Sequence, residues 1–212
     1  MKKLFLILFC MAIATLSAQN VDGGATEIMQ KLAQKYQAMS TMQIDYTYKS
    51  EKDKKVTTAL TGKACIKGNK YYLSFDNQYF YCDGETMWNY QKSTNEVSVY
   101  NYEESDDDLI NPAALLKNWQ KDYTAKFIRE EVDRGKTIQL IDMTPKKGHS
   151  YYKIRMFIDK NKKEIVRIAI YEKDNTIMSY YFDKFVANVS LSDALFKFDQ
   201  TKYPGVEIND MR

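Results

Sequence analysis

Between Gly62 and Phe75 the chain fixes its own register. Gly68-Asn69 is a two-residue hairpin turn. Pairing across it sets Ile66 against Tyr71, Ala64 against Leu73 and Gly62 against Phe75. Every partner on that face is apolar or small, so a one-residue slip would turn the whole set away from its core. More such segments follow. Asn77-Gln78 reads as the next turn and places Phe80 beside Phe75, and Asp83-Gly84 is another tight-turn signal. Thr94-Asn95 separates segments 86–91 and 96–102. Upstream, Ile44, Tyr46 and Tyr48 alternate with polar residues from Met42 onward. Downstream, strands are expected at 123–130, 136–143, 151–159, 164–172 and 176–187. The counts agree: 17 Tyr and 10 Phe against 8 Gly and 3 Pro suit a pleated, half-buried surface. So many strands must curl rather than lie flat.

Three stretches break the period of two. Residues 26–39 form an amphipathic helix, with Ile28, Met29, Leu32, Tyr36 and Met39 at helical spacing, Thr26 as its cap and Glu27 at the positive end of its dipole. Asn111-Pro112 reads as a cap followed by proline at the first helical position. Ala113, Leu115, Leu116 and Trp119 give that segment its apolar face. Ser105 and Asp106–Asp108 suit the start of a short turn, and Ser192-Asp193-Ala194-Leu195 suggests one helical turn before Phe196 and Phe198 alternate again. The expected fold class is α+β: a curved antiparallel β-sheet, an incomplete half-barrel, with a few helices covering its concave hydrophobic face.

The first residues read as a secretory signal. Lys2-Lys3 precedes an apolar run from Leu4 to Ala14, and small residues lead to a cleavage point after Ala18. The run is too short to span a bilayer. Cys10 lies inside it, not at the cleavage point, so lipidation is not expected. Residues 1–18 are therefore expected to be removed and 19–212 to form one domain, exported to the periplasm and monomeric. Removing Lys2 and Lys3 takes the net charge from +3 to +1. A nearly neutral chain without a Lys/Arg block argues against nucleic acid as a partner.

An exported pair of cysteines, Cys65 and Cys82, invites a disulfide reading. The strand pattern opposes it. With the turn at Asn77-Gln78, Cys82 faces with Leu73 and Cys65 faces away. After a one-residue slip the two share a face but stand two strands apart, about 9–10 Å. Bridged Cα atoms lie within about 7 Å. Two free, buried thiols are expected.

Catalytic signals are missing. His149 is the sole histidine, beside Gly148 in a basic turn. No His/Cys cluster has metal-ligand spacing, and neither a nucleophile elbow nor a phosphate loop is present. Asp106–Asp108 lacks the glycine and distant glutamate of a calcium loop. Glu103-Glu104 and Glu130-Glu131 sit in polar stretches. The chain is expected to be no enzyme and to need no cofactor. What remains is apolar surface. Leu73, Phe75, Phe80, Trp88 and Tyr90 are read onto one face of the first strands, with Ile154, Met156 and Ile158 from the second set and Leu115 and Leu116 from the helix. These side chains suit a plain packed core, and equally an acyl-lined pocket bounded by the 26–39 and 112–120 helices.

Tyr81-Cys82-Asp83-Gly84-Glu85-Thr86-Met87-Trp88-Asn89-Tyr90 resembles the signature of LolA-type carriers: a strand ending in Asp-Gly, then a hydroxyl residue, an apolar residue, Trp and Tyr. Gly62 to Phe75 resembles the family's preceding hairpin. Ile154 to Asp159, Glu164 to Ile170, Phe196-Lys197-Phe198 and Pro204-Gly205-Val206 are similar in order to its last hairpins and terminus. The resemblance spans nearly all of 26–208. It implies a half-barrel with helices as a lid and lipoprotein acyl chains in the space between. It also implies an inner-membrane lipoprotein exporter and an outer-membrane acceptor as partners, with acylated lipoproteins or other lipids as cargo. One departure stands out. The family places Arg-Pro after the lysine of this hairpin, and that Arg helps hold the lid closed; here Lys67 is followed by Gly68-Asn69. Related proteins of this fold include outer-membrane acceptors and sensor domains, so a binding or sensor module for another apolar ligand is the alternative reading.

Overall fold

The computed structural model describes residues 21–102 and 111–212. The readings on 1–18, Cys10, Glu103-Glu104, Ser105 and Asp106–Asp108 lie outside the described residues.

Helix α1 runs Val21–Gln37, earlier at both ends than the spacing predicts. Thr26 is therefore inside the helix rather than its cap. Glycines such as Gly24 weaken a helix by about 1 kcal/mol each relative to alanine but do not stop it. Six strands follow: β1 Met42–Lys52, β2 Lys55–Lys67, β3 Lys70–Phe75, β4 Gln78–Cys82, β5 Thr86–Gln91 and β6 Glu96–Asn101. Short helices α2 (Pro112–Lys117) and α3 (Trp119–Asp122) lead into β7 Tyr123–Asp133, β8 Lys136–Pro145, β9 Tyr151–Asp159, β10 Glu164–Glu172 and β11 Thr176–Ala187. Two 3₁₀ turns precede β12, Glu207–Asp210.

All twelve described strands belong to one open sheet, in the order β12-β6-β5-β4-β3-β2-β1-β11-β10-β9-β8-β7. It is two meanders joined where β1 pairs with β11. The last strand of the first meander and the first of the second stand far apart, so the connection from β6 to β7 must cross the sheet, and that connection carries α2 and α3. The β2–β3 hairpin pairs Ile66 with Tyr71, Ala64 with Leu73 and Gly62 with Phe75, as the turn chemistry requires. The next turn lies at Asp76-Asn77, one residue earlier than expected, with Asp76 at φ 52°. Phe75 then faces Gln78 and Leu73 faces Phe80. Pairing moves by two residues, so no side chain changes face. Register shifts interrupt the ladders of β1, β7 and β10. Such bulges add local twist and let twelve strands curl.

The C-terminal segment was not expected to join the sheet, yet β12 pairs parallel to β6. The 3₁₀ turn Asp193–Phe196 is capped by Ser192, and Asp193 bridges Lys67 and Lys70 at 2.9 and 3.4 Å. Cys65 and Cys82 are free and buried. Tyr72 faces Cys65 and Tyr71 faces Cys82 across the hairpin strands, so the thiols point to opposite sides.

Candidate functional site

Alternation places three apolar rows on the concave face. One runs Phe185, Ile44, Ala64, Leu73, Phe80 across β11 to β4. The second runs Ile141, Met156, Ile168, Tyr180, Tyr48, Leu60 from β8 to β2. The third holds Met143, Ile154, Ile170 and Met178. Most of these residues form a single hydrophobic cluster with Ala25, Met29, Leu32 and Tyr36 of α1, Leu115 and Leu116 of α2, and Trp119 of α3.

Eight of the ten residues expected to line a ligand site share this face or its helical cover. Leu73, Ile154, Met156, Ile158, Leu115 and Leu116 are buried in the cluster, and Phe80 is half-buried at its margin. Phe75 stacks on Phe80 with ring centroids 5.7 Å apart. Trp88 and Tyr90 do not join them. The β4–β5 turn is Gly84-Glu85, which sets Tyr81 against Trp88 and Tyr79 against Tyr90. A two-residue loop pairs odd positions with even ones, so Trp88 and Tyr90 follow Tyr79 and Tyr81 to the convex side, not Phe80. There they pack with Phe198, Tyr203 and Val206 of the C-terminal segment. The hydroxyls of Tyr81 and Tyr203 lie 2.9 Å apart.

The expected pocket between the two helices is filled in this structure. Ile154, Met156 and Leu116 have no exposed surface, because the stripes of α1 and α2 occupy the hollow. Two clefts open at the margins. One, of about 500 Å³, separates α1 from α2 and α3 and is lined by Gln30, Gln34, Gln37 and Lys117 among others. The other, of about 300 Å³, lies beside the first half of α1, against Gln139, Ile158, Lys160 and Lys163.

Polar bonds supplement the packing of the helices. Toward the end of α1, Tyr36 accepts a hydrogen bond from the Ile165 backbone N–H at 3.0 Å. Burial pushes that phenol well above its ordinary range. Lys35 donates to the Lys162 carbonyl at 2.7 Å and to Glu164 at 2.9 Å. Nearer the start, Glu27 and Lys31 pair with each other. Helix α2 begins at Asn111, whose side chain accepts from the Ala113 and Ala114 N–H groups and donates to the Gly68 carbonyl at 3.4 Å. That bond joins the start of α2 to the β2–β3 hairpin turn.

Sequence reasoning missed the half-buried rings at the margin of the hollow: Tyr180, Phe182 and Phe185 of β11 beside Tyr48 of β1. Tyr48 and Tyr180 stand 5.2 Å apart, and burial with the neighbouring Tyr48 pushes the Tyr180 phenol up to about 12. Tyr180 and Phe182 alternate in the sequence, which was a usable signal; their pairing with β1 was not.

The charged groups of the convex face serve the sheet. Arg155 grips Asp142 through two hydrogen bonds, the second at 2.8 Å, and Arg167 lies 4.6 and 4.7 Å from the centres of the Phe157 and Tyr181 rings. Among the described residues no group of three or more His, Cys, Asp or Glu could hold a metal ion. His149 stacks on Tyr151. No described helix is long and apolar enough to cross a membrane.

The family model for the outer membrane lipoprotein carrier protein LolA matches residues 30–199. An uncharacterized protein of Methanocaldococcus jannaschii is 25% identical over 199 residues, which make up 93% of this chain and 58% of that protein. The chain thus spans less than two thirds of that curated relative. An uncharacterized conserved protein from Thermus thermophilus has a solved structure similar to this one, with TM-score 0.59 and 9% identity, over 88% of this chain and 99% of that one. A LolA superfamily protein from Nitrosomonas europaea gives a TM-score of 0.44 at 12% identity, over 82% and 97% of the two chains. The likeness to the Thermus thermophilus protein, at such identity, is a likeness of fold.

Proposed function

This chain belongs to the outer membrane lipoprotein carrier family, and on that premise we propose that it is a periplasmic, non-enzymatic carrier of acylated lipoproteins, delivered from an inner-membrane exporter to an outer-membrane acceptor. The carrying observation is the continuous apolar face that runs from the floor under α1 and α2 to the half-buried rings at its margin. Acyl chains take the place of the helical stripes on that face. Leu73, Ile154, Met156 and Ile158 form the floor, and Leu115 and Leu116 the moving side.

The physics of exchange favours release. Burying an acyl chain is worth about 0.8 kcal/mol per CH₂, so an empty, preformed, rigid pocket would hold a multiply acylated cargo almost irreversibly. Here cargo must first displace helices that already bury Met29, Leu32, Leu116 and Trp119. The gain from the ligand is offset by the loss of that packing, and two states of similar free energy result. The Asn111–Gly68 bond is one of the contacts that a moving α2 would have to break.

Native mass spectrometry of the protein from its own cell envelope, followed by reloading of delipidated protein with a triacylated lipopeptide, tests this. A one-to-one complex is expected in both. If neither step gives a complex, the carrier reading fails. The full packing of the concave face would then favour the second reading, a binding or sensor module with another ligand.

A further inference from the structure

The cleft beside the first half of α1 has an unusual make-up. Its apolar surface comes from Ile28, Leu32 and Ile158, and its rim carries Lys31, Lys160 and Lys163 against one lining acid, Glu27. At about 300 Å³ it reaches the lower range of small-ligand sites. Lys31 pairs with Glu27, and Lys160 lies 2.8 Å from Glu130, which also accepts from Gln139 at 3.0 Å. Among the described residues the rim thus sets three lysines against two acids, Glu27 and Glu130.

Two of the three rim lysines stand on a rigid support. The β9–β10 turn is organised by Asp159, buried at 3% exposure. Its carboxylate accepts from the N–H groups of Asn161 and Lys162 at 3.0 and 2.9 Å, and its carbonyl from Lys163 at 2.7 Å. Lys163 sits at φ 52°, where glycine or asparagine is the ordinary choice. Other turn residues of the sheet, Lys54 and Arg134 among them, share that conformation, so the turn holds Lys163 in a defined position at the rim. The helix above is pinned toward its other end by Tyr36 and Lys35, and the cleft opens beneath its first half.

We propose that this cleft seats the anionic head of an acyl amphiphile, a phosphate or carboxylate held by Lys31, Lys160 and Lys163, while its chain passes over Ile158 beneath α1 into the hollow. The seat rests on the carrier reading for its hollow and goes beyond it in ligand, because the ester- and amide-linked acyl chains of a lipoprotein carry no anion beside them. An apolar surface with a cationic rim matches a ligand whose negative charge lies directly beside its hydrocarbon. Charge at the mouth also steers such ligands in, an effect that salt screens.

The test is equilibrium binding of dodecyl phosphate and of zwitterionic dodecylphosphocholine, both below their micelle concentrations, to the delipidated chain. Lys31→Gln/Lys163→Gln is compared with the unaltered protein, and inorganic phosphate is the competitor. Dodecyl phosphate should bind about fivefold tighter than dodecylphosphocholine, a preference of the size two partly exposed ion pairs supply. The double variant should lose that preference while keeping its affinity for dodecylphosphocholine, and millimolar phosphate should not compete. Equal binding of the two amphiphiles, or a preference untouched by the substitutions, would overturn the head-group seat and leave acyl binding standing. Full displacement by phosphate would make the site a plain anion site. Binding of neither amphiphile would overturn the seat, while loading of the triacylated lipopeptide would still decide the carrier reading by itself.

Discussion

The phenol oxygen of Tyr36 accepts the backbone N–H of Ile165 at 3.0 Å, across 129 residues of sequence. Tyr36 has no exposed surface, and Ile165 borders the irregular register between β9 and β10. One hydroxyl thereby satisfies a ladder donor that the bulge leaves over and fixes α1 to the sheet. Tyr36→Phe should cost about 1–3 kcal/mol by leaving a buried donor unpaired. Urea denaturation measures the loss, and hydrogen exchange should show the Ile165 amide opening faster. Unchanged exchange would mean that α1 is held by packing alone.

At Gly62 the sheet leaves no room for a side chain. A Cβ there would sit inside contact distance of the Ser74 carbonyl oxygen and the Tyr46 ring, which lies over the position. Replacing an exposed glycine by alanine stabilises by about 0.4–1 kcal/mol through the unfolded chain, but here the clash wins. Gly62→Ala should destabilise by about 1–3 kcal/mol, read as a lower urea midpoint with the slope unchanged.

Acid should weaken the convex face through Asp142. Burial opposes its charge, but Arg155 and Lys153 outweigh burial and hold its carboxyl below the ordinary 3.8. A depressed value in the folded state means stability that is complete above about pH 4 and is lost as pH falls through that lower value. Asp142→Asn should therefore be less stable at pH 7 and show a shallower decline in acid. An acid limb identical to that of the unaltered protein would remove Asp142 from this role.

Both thiols should be free yet slow to react. Cys65 and Cys82 are buried, and burial pushes the Cys65 thiol up. Ellman's reagent should label neither quickly in the native protein. In denatured, unreduced protein it should label both. Labelling of neither after denaturation would show a disulfide and a different strand register.

What the sequence disclosed follows from how local each decision is. The Gly68-Asn69 hairpin was legible pair by pair because its turn and both strands lie within fourteen residues, 62–75. The Asn111 cap with Pro112 behind it was equally local. Trp88 and Tyr90 were misplaced because their face depends on the length of the loop before them: a two-residue loop at Asp83-Gly84 or at Gly84-Glu85 alike pairs Trp88 with an odd-numbered tyrosine of the convex side. The β1–β11 pairing that assembles Tyr48 with Tyr180 joins strands with the whole fold between them, and nothing in either segment names the other. The bulges of β1, β7 and β10 leave no residue signature. The hollow's filling by α1 depends on three-dimensional fit, which periodicity cannot report.

The moving cover is tested most directly by locking it. With Cys65→Ala and Cys82→Ala as background, cysteines at Ala33 of α1 and Lys117 of α2, which line one cleft, are bridged by a bismaleimide whose spacer holds a reducible disulfide. Loading and release of a fluorescent acylated peptide are then timed with the bridge intact and after its reduction. The locked form should neither load nor release, and reduction should restore both rates. If the locked protein exchanges cargo at the unlocked rate, the helices do not move, and a fixed groove rather than a yielding cover carries the ligand.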